Sequence, residues 1–330
     1  MRRSARPSDM AFAVKGTPTR QAEIFRRQAA YCDGRSPLYA EICRRLAEDP
    51  RVGDVAPDLA WDFPLRLLGG LHYLVLAGQA SWDDIGGALE THRDFLARWT
   101  EEQDVQTNEV QRAWALLPGF LSLSDGRPFD LLELGPSAGL NLMWDRYRYR
   151  YKTGEWGTGA LELAGDDRTP PPVELFSRGV SVARRRGIDL NPVDVTTDHG
   201  ARLLQSFVWA DQTDRLERLR RAIETVREDP PELMRGDYVE SLPALLTDRR
   251  EGTQLVVFQT ASTMYLDQGA LAKVRAALHE AARQEPLVYL TTGRAPDDDG
   301  FALEVERYPD GRSNRLAVFD FHGEWLDWGR

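Results

Sequence analysis

Apolar residues change their spacing twice along this chain, and the changes divide it. Between about residues 21 and 125 they recur at helical intervals. Ser36-Pro37 offers a cap and a first-turn proline, and Leu38, Ile42 and Leu46 follow every fourth residue. Residues 64–77 are apolar almost all round, which predicts a helix buried on most sides with Gly78 as its stop. Ile85, Leu89, His92, Leu96 and Trp99 then trace one face of a single long helix.

From residue 128 short apolar runs take over. Residues 129–134, 255–258 and 287–290 each predict a buried parallel strand, the first ending in a glycine turn. Leu271, Val274 and Leu278 mark a helix between the last two, with Asp267 as its cap, and strand–helix–strand is the signature of a parallel sheet. Beyond residue 300 the spacing becomes alternation. Phe301, Leu303 and Val305 lead to a Pro309-Asp310-Gly311 turn, and Leu316, Val318 and Phe319 return, which predicts an antiparallel hairpin closing the sheet. The expected organisation is a flexible tail over 1–20, a helical cap domain over 21–125 and a Rossmann-like α/β domain over 126–330.

Composition narrows the partners. Lys and Arg total 42 against 52 Asp and Glu, a net charge of −10, which argues against a nucleic-acid backbone as the main partner. The run Arg184-Arg185-Arg186 is short and offset by nearby acids, as on a solvated face. No stretch approaches the ~20 apolar residues of a membrane helix. Cys32 and Cys43 lack ligand spacing and are too few for a disulfide scaffold, so a reducing, cytoplasmic setting is expected. The five histidines at 72, 92, 199, 279 and 322 are scattered, and no metal site is expected.

The stretch Glu133-Leu134-Gly135-Pro136-Ser137-Ala138-Gly139-Leu140-Asn141 carries the clearest chemistry. It follows the first strand of the sheet, where open α/β sheets place their ligands. Its glycines permit a tight turn, and a helix from about Leu140 would offer unpaired N–H groups. The spacing lacks the second glycine of a dinucleotide site and the Gly-Lys-Ser/Thr of a phosphate loop. Glu133 stands where a diphosphate would approach, which favours a ligand carrying positive charge.

With the terminal hairpin and an acid after a later strand, this turn resembles the class I S-adenosylmethionine-dependent methyltransferases. More closely, residues 132–142 with Asp145-Arg146-Tyr147 are similar to a bacterial family known as a domain of unknown function. Gln106-Thr107-Asn108-Glu109, Gly187 to Pro192, Trp209-Ala210-Asp211 and Gly236-Asp237 extend the similarity over most of the chain after residue 20. The resemblance implies a seven-stranded Rossmann-like methyltransferase sheet and S-adenosylmethionine as cofactor. Glu133, Gly135, Ser137, Ala138, Gly139 and Asn141 would then hold its methionine part, a carboxylate meeting the ammonium and backbone N–H groups the carboxylate. Three acids compete for the ribose: Glu162 by spacing, Asp189 by its local pattern and Asp211 by the helix and strand that follow, with Asp189 and Asp211 ranked first. Asp237 and Tyr238 would lie near the adenine. Gln259, Thr260 and Ser262 would face the reacting methyl or the substrate.

Further polar groups are candidates for the second reactant. Asn191 and Asp194, in a dense polar segment, and Tyr265 are candidate catalytic groups; Asn108, Arg112 and Tyr147 are candidates for substrate. Tyr147 also fits a half-buried strand in which Tyr149 and Tyr151 share its face, and Asn108 fits a helix cap. Methyl transfer to a small molecule is the leading function. Ring closure or elimination on the same sulfonium cofactor, and ligand or partner binding without turnover, are the alternatives. The expected partners are a small-molecule substrate and, where the chain self-associates, a second copy as a homodimer.

Overall fold

A computed structural model describes residues 18–55, 60–106 and 109–330. The chain forms two compact units: Met1–Thr107, as far as described, with Thr197–Arg220, and Asn108–Thr196 with Arg221–Arg330. The division therefore falls near residue 107 rather than 125, and a later segment rejoins the first unit. The reason lies in the helix Arg112–Leu123, buried along its length: a Cβ on Gly119 would touch Leu303 at 3.1 Å and Leu290 at 3.3 Å, so it packs on the sheet of the second unit.

The first unit is helical. Ser36 caps the helix Pro37–Glu48 by accepting from the Tyr39 N–H at 3.1 Å, with Pro37 in the first turn. The helix Phe63–Leu76 is buried on most sides, and its glycines let aromatic rings approach: a Cβ at Gly69 would lie 2.8 Å from Phe207. The long helix expected through Leu96 is two, Ile85–Thr91 and Arg93–Glu102. They break at His92, whose backbone leaves the helical region (φ −110°, ψ 22°). Most of the flexible tail expected over 1–20 lies outside the described residues; the helix Pro18–Cys32 begins within it.

The described residues of the second unit form twelve strands. In chain order they are β1 (Phe129–Leu134), β2 (Arg148–Tyr151), β3 (Gly154–Trp156), β4 (Glu162–Ala164), β5 (Asp166–Thr169) and β6 (Val182–Asp189), followed by β7 (Glu232–Arg235), β8 (Gln254–Phe258), β9 (Leu287–Arg294), β10 (Phe301–Tyr308), β11 (Arg312–Phe319) and β12 (Trp325–Trp328). The main sheet has nine strands, not seven, in the order β5-β12-β11-β10-β9-β8-β1-β6-β7, and β3-β2-β4 form a small second sheet. Strands β9, β8, β1, β6 and β7 run parallel, and β10, β11 and β12 extend the sheet as an antiparallel meander. The two extra strands come from segments too short to read as strands: β12 has four residues, and β5 pairs with it in parallel at the edge.

Strand β1 is central and wholly buried, with β6 on one side and β8 on the other. The chain leaves it toward β6 and returns to its opposite side through β8, so the carboxyl end of β1 is a topological switch point. Because side chains alternate along a strand, Leu132 and Leu134 face the cluster of Tyr238, Leu242, Val274 and Leu278. Phe129, Leu131 and Glu133 face the opposite way. There Trp144 lies 6.3 Å from Phe129 and stacks on Phe120 of the helix Arg112–Leu123 at 4.4 Å.

The basic run is not a solvated face. It belongs to β6, where Arg186 is 2% exposed. Arg184 and Arg186 meet the fully buried Asp130 on the adjacent strand, and Arg185 meets Asp145 at 2.6 Å. Buried cations of this kind stand only where carboxylates neutralise them.

Candidate functional site

The site is built at the carboxyl ends of β1, β6 and β8. The turn after β1 is left-handed at three residues, Gly135 (φ 74°), Ser137 (φ 52°) and Gly139 (φ 74°). Its donors are used within the protein. Gly135 N–H binds Ile188 O, Ser137 N–H binds the Asp189 carboxylate at 2.9 Å, and Gly139 N–H binds Pro136 O. These three amides are therefore not a ready-made anion nest, in keeping with the missing phosphate motifs. A 3-10 helix, Leu140–Arg146, follows in place of an α-helix and closes on Gly139 O through the Leu142 N–H.

Each glycine leaves room that a neighbour fills. A Cβ on Gly135 would come within 2.5 Å of the Ser262 Cβ, and one on Gly139 within 2.8 Å of Pro231. Ser262 also donates to Leu134 O at 2.6 Å, tying the segment after β8 to the end of β1. Asp189 serves the same end from β6: besides Ser137 it accepts from the Asn191 N–H at 2.8 Å, so one carboxylate locks the turn to the second strand.

Glu133 is the unusual group. It is 1% exposed, and its Oε2 has no hydrogen-bond partner. Burial pushes its carboxyl from an ordinary 4.5 up to about 8; the charge of Asp189 pushes the same way, and Arg112 only partly opposes them. Arg112 opens the helix on the face toward which Glu133 points. It is buried, donates to Phe321 O at 2.7 Å and Thr260 O at 3.4 Å, and lies over the Phe321 ring at 4.1 Å.

Two more buried acceptors at this end lack donors, Asn141 Oδ1 and Gln259 Oε1. The Gln259 amide is oriented by its Nε2, which donates to Thr291 Oγ1 and Thr292 O, both at 2.7 Å. Burial, with the charges of Asp237 and Asp189, pushes the Tyr238 phenol up to about 12 against an opposing bond from Ser262. Unpaired buried oxygens are uncommon in folded proteins and call for a reason. Here Glu133, Asn141 and Gln259 put three unpartnered acceptor oxygens at the carboxyl ends of β1 and β8, suited chemically to a ligand that brings N–H groups and positive charge.

The remaining expected residues scatter. Ala138 is buried in the turn. Asp237 caps the helix Tyr238–Thr247 by accepting from the Val239 N–H. Asp211 belongs to the first unit, where Ser36 and the Leu38 N–H donate to its carboxylate. Glu162 lies on β4 of the small sheet, paired with Arg148 and Arg150, and so does not end the second strand of the main sheet. Tyr147 is fully buried and donates to Leu140 O, matching the half-buried-strand reading. Tyr265 is 74% exposed. Asn191 accepts from Arg235, and Asp194 accepts from the backbone and hydroxyl of Thr196. Asp194 also borders a pocket of about 270 Å³ with Ala138, Val193 and Pro231. Asn108 lies outside the described residues.

The loop Asp320–Gly323 between β11 and β12 also reaches Arg112, and no local sequence pattern points to it. No group of three or more His, Cys, Asp or Glu that could hold a metal occurs among the described residues, and none of their helices is long and apolar enough to cross a membrane.

Against known proteins, residues 22–328 match the family described as an uncharacterized protein conserved in bacteria (DUF2332). No curated protein and no solved structure matches the chain.

Proposed function

The chain belongs to that bacterial family, and from this premise we propose that it is an enzyme that binds S-adenosylmethionine at the carboxyl end of β1 and passes its methyl group to a small molecule. The observation that carries the reading is the buried, unpartnered Oε2 of Glu133 at the switch point of the sheet. An ammonium group meeting it would turn a costly buried carboxyl into a charge-assisted pair. Asn141 and Gln259 add acceptors at the same end, and Asp189 keeps lone pairs for a hydroxyl while holding the turn. The residues fit the amino-acid end of the cofactor better through these side chains than through the turn amides, which the fold already uses. Bound there, the cofactor supplies a methyl group activated by its sulfonium. The protein's own part is alignment, with Glu133, Asp189 and Arg112 fixed by their surroundings.

Isothermal titration with S-adenosylmethionine tests the binding step. The wild-type chain should bind, and Glu133→Gln should bind about 10-fold or more weakly, the loss of a hydrogen bond to a charged group. Wild-type protein that takes up no ligand at millimolar concentration sinks the proposal. Release of S-adenosylhomocysteine with small-molecule acceptors tests turnover. A second reading, binding without turnover, is favoured by the internal use of the turn amides and by Ser262 packed on Gly135. It foresees cofactor uptake with no S-adenosylhomocysteine from any acceptor.

A further inference from the structure

The turn that opens the helix Arg112–Leu123 and the loop Asp320–Gly323 are held together at several points. Gln111 Nε2 donates to Gly323 O at 3.3 Å and to Ala164 O at 3.0 Å. A Cβ on Gly323 would lie 2.5 Å from Gln111 O, so the two backbones touch. Arg112 binds Phe321 O, and Asp320 accepts from the His322 N–H at 2.6 Å. Between these anchors His322 brings Nδ1 to 3.6 Å from Glu109 Oε2. Glu109 is 4% exposed, and the imidazole is 38% exposed with its Nδ1 covered, so its exposure comes from the rest of the ring.

We infer that Glu109 and His322 form a dyad that accepts the proton of the acceptor substrate, a small molecule with a hydroxyl nucleophile. The inference rests on the reading of the neighbouring site as a methyl-transfer site. Arg112 is the link between the two: it binds the carbonyl next to His322, binds Thr260 after β8, and bears electrostatically on Glu133. Glu109 belongs to a stretch that carries the family similarity, but 213 positions separate it from residue 322 and nothing local joins the two.

The arrangement assigns each atom a task. Glu109 receives the Nδ1–H, which fixes the tautomer and leaves the lone pair on Nε2. That lone pair takes the hydroxyl proton as the freed oxygen pair forms the new bond to the methyl carbon. In such a transfer the bond broken at the cofactor would leave its electron pair on sulfur, and His322, then an imidazolium, would return its proton to water. The charged groups facing the ring are Glu109 from the opening turn, Asp320 from its own loop and Arg112 across Phe321. At 3.6 Å the two atoms are in ion-pair range but make no hydrogen bond, and binding of substrate would have to draw them together, as catalytic hydrogen bonds often tighten only in the complex.

Two measurements on the full chain test this. Long-range proton–nitrogen NMR of the imidazoles should show His322 as the Nδ1–H tautomer in the wild type and as a mixture dominated by Nε2–H in Glu109→Ala. A wild-type His322 found as Nε2–H overturns the dyad, whatever the protein binds. His322→Gln should keep its affinity for S-adenosylmethionine within about twofold while turnover falls about 100-fold or more at unchanged acceptor KM. Unchanged turnover in that variant also overturns the inference. Failure of the wild type to bind S-adenosylmethionine overturns the methyl-transfer reading and with it the substrate proton assigned here; the tautomer measurement still decides whether the pair exists.

Discussion

Replacing Glu133 by glutamine keeps the shape of the side chain and removes its ability to ionise. The carboxyl rises from 4.5 to about 8 in the folded protein, chiefly because burial penalises its charge. At about 1.4 kcal/mol per pH unit, that rise corresponds to roughly 5 kcal/mol when fully expressed. The sign follows from proton uptake. Below pH 4.5 both folded and unfolded chains carry the proton, and Glu133 costs nothing relative to glutamine. Between pH 4.5 and 8 the unfolded chain releases it while the folded chain keeps it, so stability falls as pH rises. Above pH 8 the folded chain ionises as well, and the penalty stays constant. Urea denaturation of wild type and Glu133→Gln from pH 5 to 9 should therefore give curves separated by about 1 kcal/mol at pH 5 that diverge progressively to pH 8, with the variant the more stable. Curves that stay parallel throughout would show that Glu133 is charged in the fold, and the case for an uncompensated buried acid would fail.

Other expectations concern the supports of the site. Gly135→Ala adds a Cβ at 2.5 Å from Ser262 in a left-handed backbone; thermal denaturation should show a loss of about 1–3 kcal/mol, and adding Ser262→Gly should recover only the steric share. Gly139→Val meets Pro231 in a similar way, so a clean loss of binding with intact folding is not expected, and circular dichroism melting should fall. Asp189→Asn removes a charged acceptor from the Ser137 and Asn191 amides and should cost about 1–3 kcal/mol in denaturant. The same change removes a like charge, so the Glu133 carboxyl followed by carbon NMR should titrate at lower pH. Asp130→Ala would leave Arg184 and Arg186 facing a buried gap; a loss of about 3–5 kcal/mol is expected by chemical denaturation, and a loss below 1 kcal/mol would contradict the pairing.

Long-period signals were legible in the sequence and long-range ones were not. Strands β1, β8 and β9, the hairpin of β10 and β11, and the caps at Ser36 and Asp267 follow from local spacing and side-chain chemistry, and the structure has them. The glycine turn could be placed, but not the use of its amides, because Ile188 and Asp189 lie over fifty residues away. Arg184 to Arg186 misled for a related reason: a basic triplet looks solvent-facing unless its buried partners are known, and Asp130 and Asp145 come from other elements. Short strands such as β5 and β12 carry too few residues for periodicity and exist through pairing, β12 with β11 and β5 with β12. The neighbourhood of Arg112 and His322 is set entirely by how the last loop folds back.

The first unit is discontinuous along the chain, and this bears on how the protein is made. The ring of Phe207 fills the space beside Gly69, Tyr73 meets His199 at 2.8 Å, and His72 Nδ1 lies 3.3 Å from Ser206 O. A nascent chain that has just emerged past residue 107 has none of these partners. At typical translation speeds the wait for Arg220 is on the order of ten seconds. During that time the apolar flank of the helix Phe63–Leu76 stays uncovered, and half of the second unit is synthesised before the first can close. The unit that begins the chain thus cannot close until residue 220 has been made, and cutting the gene after residue 107 would yield a helical fragment missing its segment Thr197–Arg220.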